Sequence, residues 1–284
     1  MNPTSVARAS LIGAALFVLA LQATAQPSVE DVLQQAQSAF DARNSLSKLN
    51  QAISLYESLA PQLETLTSAQ QALVLNRLAE LYYELGYSRG DEDETNRPLF
   101  EKGKAYGLQS LSLNSRFKSQ QSRDFLAALA AVTDPSALLW TANNWGTLLG
   151  FDGIRGVPQL PNVRGLYERC LEVQETYWGA SCHNALGAML ASLPSFLGGD
   201  FDQAKIHLQR AIELSPDYLT NHVALAEYVG FAHDVLGNIN DVRDRELVER
   251  ELNFVMESPD VWPFWDQQAK KDAQELLKVL ARFK

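Results

Sequence analysis

Residues 140–145 combine two indole side chains with two amides, a composition that suits a small-molecule site. On a helix, Trp140 shares one face with Asn143 and Asn144, while Trp145 lies beyond them. Aromatic rings beside amides line pockets that hold an apolar ligand and fix one polar group. A tryptophan-rich core between two helices is an equally good interpretation, because tryptophan is large and often only partly buried. We treat these four residues as candidate ligand-binding residues.

Two histidines occupy matching places in successive helical units. His183 and His222 each stand four residues before a small residue in the first helix of a unit. Such a repeated position packs against the neighbouring unit or lines the inner face of the stack, and packing is the favoured interpretation. Asn184 and Glu227 lie on the same two helices, and these four residues complete the predicted ligand site. The spacing of the histidines does not predict a metal site, and no H-E-x-x-H motif occurs.

One short motif resembles catalytic machinery. Residues 86–90 read G-Y-S-R-G, which matches the G-x-S-x-G pattern around a hydrolase nucleophile. That chemistry needs a strand, a sharp turn and a helix to expose the serine. Here Ser88 follows a helical pattern and precedes the acidic run D-E-D-E, which is typical of a solvated loop. We expect the end of a helix at Ser88, and the sequence predicts neither an enzyme nor a cofactor.

The chain contains two cysteines, Cys170 and Cys182. We place them on facing helices of one hairpin, equally far from a turn near Thr176. In an oxidising compartment outside the cytoplasm they could form a disulfide, which is the favoured interpretation. Two buried free thiols remain the alternative. A pair of cysteines alone does not make a zinc site, because zinc takes four ligands.

The first residues resemble a secretory signal peptide. One positive side chain, Arg8, precedes an apolar run over residues 11–21, and the small residues Ala23 and Ala25 stand where a signal peptidase cleaves. We therefore expect cleavage after residue 25, a mature domain over residues 26–284, and a periplasmic location. A membrane anchor is the alternative, but the apolar run is short for a bilayer. No cysteine near the cleavage site offers a point for lipid attachment.

The charge of the chain is acidic. The formal net charge is −10, and removal of the signal segment takes away one positive side chain. Phosphate backbones and anionic lipid head groups attract basic proteins. The composition therefore argues against a nucleic-acid or membrane-surface partner, and says little about the fold.

Apolar residues recur at helical spacing along most of the chain, and no run alternates as a strand would. N-terminal caps are predicted at three places. Ser68 with Gln71 suggests a capping box, Asp134 precedes a first-turn proline, and Asp200 begins a helix that stops before Pro216. The pattern predicts an all-α protein.

The helices come in pairs, which predicts stacked helical hairpins of the tetratricopeptide type, an α-solenoid. The clearest unit spans residues 183–216, where small side chains such as Gly187 let the helices approach and Leu208 wedges between them. A second unit spans residues 222–259. Trp262 and Trp265 are expected to clamp an amphipathic closing helix, residues 266–283, onto the stack.

With these residues in view, the chain resembles the T-component family of TRAP transporters. The resemblance rests on residues 134–140 with 144–146, on the L-P and L-G-G-D motifs within 187–200, on 204–216 and on 222–227. It covers most of the chain from about residue 73 to residue 259. It implies an exported helical protein that partners the periplasmic solute-binding protein of a TRAP transporter. Self-association as a homo-oligomer is left open.

The resemblance also implies a small organic ligand, apolar in character, for which the residues named above are the candidates. A cavity is expected near Trp140, Asn144, Asn184 and His222. The alternative is a generic periplasmic scaffold, which would bind a protein segment in an open groove and take no small molecule.

Overall fold

The computed structural model describes residues 28–90, 93–234 and 237–283, so the predicted signal peptide lies outside the described residues. The α-helices, in chain order, are α1 Val29–Asp41, α2 Leu46–Leu59, α3 Ser68–Arg89, α4 Arg97–Leu111, α5 Ser115–Gln120, α6 Phe125–Leu129, α7 Pro135–Asp152, α8 Leu160–Gln174, α9 Tyr177–Ser192, α10 Phe201–Leu214, α11 Leu219–Leu225, α12 Arg245–Glu257 and α13 Pro263–Leu280. Short 3-10 turns cover Ala60–Thr65, Glu94–Asn96, Gly153–Gln159 and Ser195–Leu197, and a π-helical turn covers Ala226–Gly230.

Consecutive helices pack against each other as hairpins. These hairpins are α1 with α2, α3 with α4, α7 with α8, and α9 with α10, and α7 also packs on α3 and α4. Buried apolar side chains of α1 to α10, with Phe264 and Trp265 of α13, form one continuous core. A second core lies among α11, α12 and the remainder of α13. The prediction of an all-α protein is confirmed.

The ends of the helices follow the capping chemistry of the sequence. Asp134 accepts from two backbone N–H groups at the start of α7, and Asp200 accepts from Gln203 N at the start of α10. The predicted box at Ser68 is wrong by one residue. Thr67 is the N-cap of α3, and the side chain of Gln70 accepts from the Thr67 backbone in return.

Glycines set the distance between paired helices. A β-carbon on Gly187 of α9 would lie 2.7 Å from Cγ of Leu208 on α10. A β-carbon on Gly107 of α4 would lie 2.2 Å from Oγ1 of Thr141 on α7. Real side chains do not approach so closely, so each contact exists because the glycine has no β-carbon.

Two features depart from the sequence expectations. A short antiparallel hairpin joins β1, Phe231–His233, to β2, Ile239–Val242, with a bulge between Ala232 and His233. These strands are too short and irregular to show an alternating pattern, which is why none was predicted. The glycines and prolines of residues 151–161 predict a loop, but residues 153–159 form a 3-10 helix instead. Among the described residues, no helix has the length and apolar character needed to cross a membrane.

Candidate functional site

Four tryptophans that are distant in the sequence meet in the main core. Trp140 of α7 stacks on Trp265 of α13, with ring centroids 6.3 Å apart. Trp178 meets Trp140 edge-on at 5.5 Å and Trp262 edge-on at 5.4 Å. Tyr83 of α3 lies 5.9 Å from Trp140 and 6.0 Å from Trp265. We call these five residues the aromatic cluster, which joins α3, α7, α9 and the final helix.

The indole N–H groups of the four tryptophans are buried, and none donates a hydrogen bond to a described residue. Trp140 is only 1% exposed. Trp265 lies near the Glu84 carboxylate and opposes the rise in the pKa of Glu84 that burial causes, but its N–H group lacks the geometry of a hydrogen bond. A buried donor without an acceptor costs about 1–3 kcal/mol. The aromatic cluster is therefore a place where a bound molecule or water would supply acceptor atoms.

Two fully buried carboxylates lie one turn apart on α3, and sequence reasoning missed both. Arg43 Nη2 lies 3.0 Å from Glu80 Oε1, and Arg43 Nε lies 2.7 Å from Glu84 Oε2. Arg77 Nη1 lies 2.8 Å from Glu80 Oε2. Two guanidinium groups thus balance two carboxylates in the interior. The only available signal was two glutamates four residues apart within the otherwise apolar and aromatic stretch of residues 78–87.

Burial dominates the electrostatics of this carboxylate pair. Burial, and after it the neighbouring Glu84 charge, raise the pKa of Glu80, while Arg43 and Arg77 oppose both effects, and the resulting pKa is about 7. Burial likewise raises the pKa of Glu84, and Arg43 opposes it. Removing a carboxylate from water disfavours its charged form, and two close carboxylates repel each other. The pair therefore holds a proton at a higher pH than exposed glutamates do.

A left-handed turn places Trp178 in the aromatic cluster. Trp178, Gly179 and Ala180 have φ values of 48°, 65° and 59°, a region that costs energy for residues other than glycine. Asn221 stabilises the turn by donating a 2.9 Å hydrogen bond to the Gly179 carbonyl. A β-carbon on Gly179 would meet the Tyr218 ring at 2.6 Å. The neighbouring structure therefore holds this strained backbone in place.

The two cysteines flank this turn. Their sulfur atoms are bonded, with Cα atoms 6.3 Å apart, so the bond between Cys170 and Cys182 links α8 to α9. The sequence separation is 12 residues, and the enclosed segment contains Trp178. The bond thus closes a short loop around the residue that enters the aromatic cluster.

The amides near Trp140 bridge helices. Asn144 is fully buried, and its Nδ2 donates to the carbonyls of Ala79 and Trp140, at 2.9 and 2.7 Å. Asn143 accepts a 3.0 Å hydrogen bond from the Tyr167 hydroxyl.

Trp145 points to different partners. Its indole donates to Gln159 Oε1 at 2.8 Å, and Lys104 Nζ lies 3.8 Å from its ring centroid. Of the candidates within residues 140–145, Trp140 alone contributes a ring to the aromatic cluster.

The candidates on α9 are held by polar contacts. His183 Nδ1 lies 2.8 Å from His207 Nδ1, and His183 Nε2 lies 3.0 Å from Glu175 Oε1. Asn184 donates to the Thr220 carbonyl at 3.2 Å and to Asn221 Oδ1 at 3.0 Å. Asn184 therefore connects α9 to the residues beside His222.

His222 joins α11 to α12. Its Nδ1 lies 2.6 Å from Glu251 Oε2, and its Nε2 lies 3.0 Å from the Pro216 carbonyl. Burial raises the pKa of Glu251, but hydrogen bonds from His222 and Arg250 bring it below its usual value. Glu227 is half-buried on the π-helical turn after α11. These contacts of His222 are those of a structural bridge.

Among the candidate ligand residues, Asn144 is hydrogen-bonded to Trp140, and Asn184 is hydrogen-bonded to Asn221, which precedes His222. No hydrogen bond among the described residues connects Trp140 or Asn144 with Asn184 or His222.

Within the described part of the chain, no group of three or more histidine, cysteine, aspartate or glutamate residues could hold a metal ion. Ser88 lies in the last turn of α3 and donates to the Leu85 carbonyl at 2.9 Å. No strand precedes it in the described residues, as a nucleophile elbow would require.

Fold and site together define a helical-hairpin protein with a buried aromatic and carboxylate interior. The model of the TRAP transporter T-component family matches residues 66–283, from the start of α3 to the end of the described chain. The protein belongs to this family, as the resemblance predicted, and the family places it with a TRAP transport system. The sequence matches no curated protein.

Proposed function

We propose that this protein is a periplasmic, non-enzymatic component of a TRAP-type solute transport system. In this proposal it binds the system's solute-binding subunit and holds a small organic ligand in its interior. The observation that carries the proposal is the family match over residues 66–283.

The aromatic cluster supports the proposal of a ligand. It offers buried indole donors without acceptors, beside apolar ring faces. A small organic molecule with a few oxygen atoms would satisfy those donors and pack on the rings. The sequence expectation placed the ligand near Trp140, Asn144, Asn184 and His222. We retain Trp140 and add Trp178, Trp262 and Trp265.

Two exposed apolar side chains support the proposal of a protein partner. Ile154 is 87% exposed on one 3-10 turn, and Phe196 is 83% exposed on another. The turn with Ile154 leads directly into the start of α8. The turn with Phe196 ends at Gly198, and a β-carbon on Gly198 would lie 3.7 Å from the side chain of Arg164, in the second turn of α8. The two turns therefore lie at the same end of α8, where they offer apolar contacts for the solute-binding subunit.

The partner is tested by titrating the protein into the purified solute-binding subunit and measuring the heat of binding. We expect a complex, and we expect the double variant Ile154→Ser/Phe196→Ser to weaken it by about tenfold or more. Leu46→Ser, at a residue 50% exposed on α2, is the matched control and should bind normally. Absence of a complex with the unmodified protein contradicts the proposed partner.

The ligand is tested by native mass spectrometry of protein gently purified from the periplasm. We expect extra mass that is released on unfolding. Trp140 is too buried for an alanine test, because truncation would cost about 3–5 kcal/mol. Trp140→Phe and Trp178→Phe remove one donor each and keep a ring, so they should reduce the retained mass.

The dense packing of the aromatic cluster favours one alternative, a scaffold that binds only a protein segment. Ring centroids in the cluster lie 5.4–6.3 Å apart, and Trp140 is almost fully buried. In that case the unmodified protein would release no small molecule on unfolding, yet would still form a complex that depends on Ile154 and Phe196.

A further inference from the structure

A cleft at α8, α9 and the start of α10 lies outside the aromatic cluster. Its volume is about 410 Å³, within the range of small-molecule sites. Leu186 and Leu190 of α9 line it with apolar surface and are otherwise buried. Its polar lining includes Arg164, Asp200 and His207. The cleft thus combines an apolar wall with polar groups.

A chain of hydrogen bonds leads into this cleft from Glu175. Arg210 donates to both oxygens of Glu175, at 2.9 and 3.3 Å, and Arg210 and His183 lower the pKa of Glu175 to about 2. The ionised carboxylate can only accept, so His183 must donate to it from Nε2. With His183 neutral, its Nδ1 carries a lone pair and accepts a hydrogen bond from Nδ1 of His207.

This relay fixes which nitrogen of His207 is free. Nδ1 of His207 is hydrogen-bonded to His183, and Nε2 of His207 forms no hydrogen bond with any described residue. Burial lowers the pKa of His207 below its usual value, and the positive charge of Arg164 lowers it further, so the ring is neutral at pH 7. Neutral His207 therefore presents the lone pair of Nε2 as a hydrogen-bond acceptor.

The charged groups of the cleft are mostly acceptors as well. Glu168 binds Arg164 through Oε1 at 2.7 Å, and its Oε2 forms no hydrogen bond with the described residues. Asp200 accepts a hydrogen bond from the Gln203 backbone through Oδ1, and no described residue donates to its Oδ2. One guanidinium thus faces two carboxylates, which favours a cation over an anion.

We propose that this cleft binds a small molecule with an apolar body and a primary ammonium head group. The body packs on Leu186 and Leu190. The ammonium donates to His207 Nε2 and to the carboxylates of Glu168 and Asp200, since an ammonium has three donors and no acceptor. This site is separate from the aromatic cluster and does not depend on the transport proposal.

The test follows the Leu186 and Leu190 methyl groups and the His207 ring by NMR during titration with three probes of similar size. The probes are phenethylamine, 2-phenylethanol and 3-phenylpropionate. We expect phenethylamine to bind most tightly, with saturable shifts at all three residues. Equal or tighter binding of 3-phenylpropionate, or no saturable shift with phenethylamine, overturns the proposal.

Two variants separate contact from positioning. His207→Phe should weaken phenethylamine binding by roughly tenfold or more, because one hydrogen bond to a charged group is lost. Glu175→Leu removes the start of the relay without touching the head group. It should weaken binding and shift proton occupancy of His207 toward Nε2, as read from the ring ¹⁵N shifts.

Glu249→Leu, at an exposed ion pair on α12, is the matched control and should change neither measurement. If the ¹⁵N shifts show that Nε2 of neutral His207 already carries the proton in the unmodified protein, the relay is wrong and the proposal falls with it.

Discussion

The side-chain amide of Asn144 occupies the space that a β-carbon on Gly103 would fill. Such a carbon would lie 2.1 Å from Asn144 Oδ1, 2.5 Å from Cγ and 2.7 Å from Nδ2. Asn144 cannot move away cheaply, because it is fully buried and donates to the carbonyls of Ala79 and Trp140. The amide therefore fixes how closely α4 approaches α7.

Gly103→Ala should destabilise the protein by about 2 kcal/mol or more. The methyl group would force α4 from α7 or break the Asn144 hydrogen bonds, and this outweighs the roughly 1 kcal/mol that alanine adds to helix propensity. Gly150→Ala on α7 is the control, since a β-carbon there meets nothing within 4 Å, and it should be neutral or slightly stabilising. Urea unfolding measures both changes, and equal stability of the two variants would refute this account.

The fold was predicted mainly from the regular spacing of apolar and small residues along the sequence. Helical periodicity, the caps at Asp134 and Asp200, and small residues such as Gly187 predicted the helical hairpins. The cap of α3 was misplaced because Ser68 and Thr67 are chemically alike, and only the backbone conformation shows that Thr67 precedes the helix. The solenoid arrangement stays a prediction.

The candidate site was less accessible from the sequence, because the relevant residues meet only through tertiary packing. Trp140 was singled out, but its partners Trp178 and Trp265 are far along the chain. The sequence predicted that Trp265 packs the last helix onto the other helices. In the structure Trp265 contacts Tyr83 of α3 and Trp140 of α7. The burial of Glu80 depends on Arg43, which lies 37 residues away and gives no local signal.

Asn221→Ala should destabilise the protein by about 2–3 kcal/mol, because Asn221 is fully buried and its Nδ2 donates to the carbonyls of Gly179 and Ala211. Losing the bond to Gly179 should also release the left-handed turn, so the near-ultraviolet circular dichroism of Trp178 and its neighbours should weaken. Asn50→Ala, at an exposed asparagine on α2, is the control. An unchanged aromatic spectrum in Asn221→Ala would show that the turn does not need this bond.

The stability of the protein should depend on pH through Glu80. Its pKa is raised in the folded state to about 7, so the folded protein keeps a proton that the unfolded chain releases near pH 4.5. The contribution of this bound proton to the free energy of unfolding is fully present below pH 4.5 and is lost as the pH rises toward 7. Glu80→Gln cannot ionise, so its free energy of unfolding should fall less than that of the unmodified protein between pH 5 and about 7.5. Denaturant unfolding across this range measures the two slopes, and parallel slopes would exclude Glu80 as the titrating group.

Reducing the Cys170–Cys182 bond should cost about 3 kcal/mol, as expected for a closed loop of this length, since the sequence separation is 12 residues. The same loss should appear in the double variant Cys170→Ala/Cys182→Ala without a reductant. The loop encloses Trp178, so the freed turn should also perturb tryptophan fluorescence before global unfolding. Adding a reductant to the double variant is the control and should change nothing. If the oxidised and reduced proteins unfold at the same denaturant concentration, the bond does not constrain the turn, and Asn221 with the packing of Tyr218 on Gly179 would suffice to hold Trp178 in the aromatic cluster.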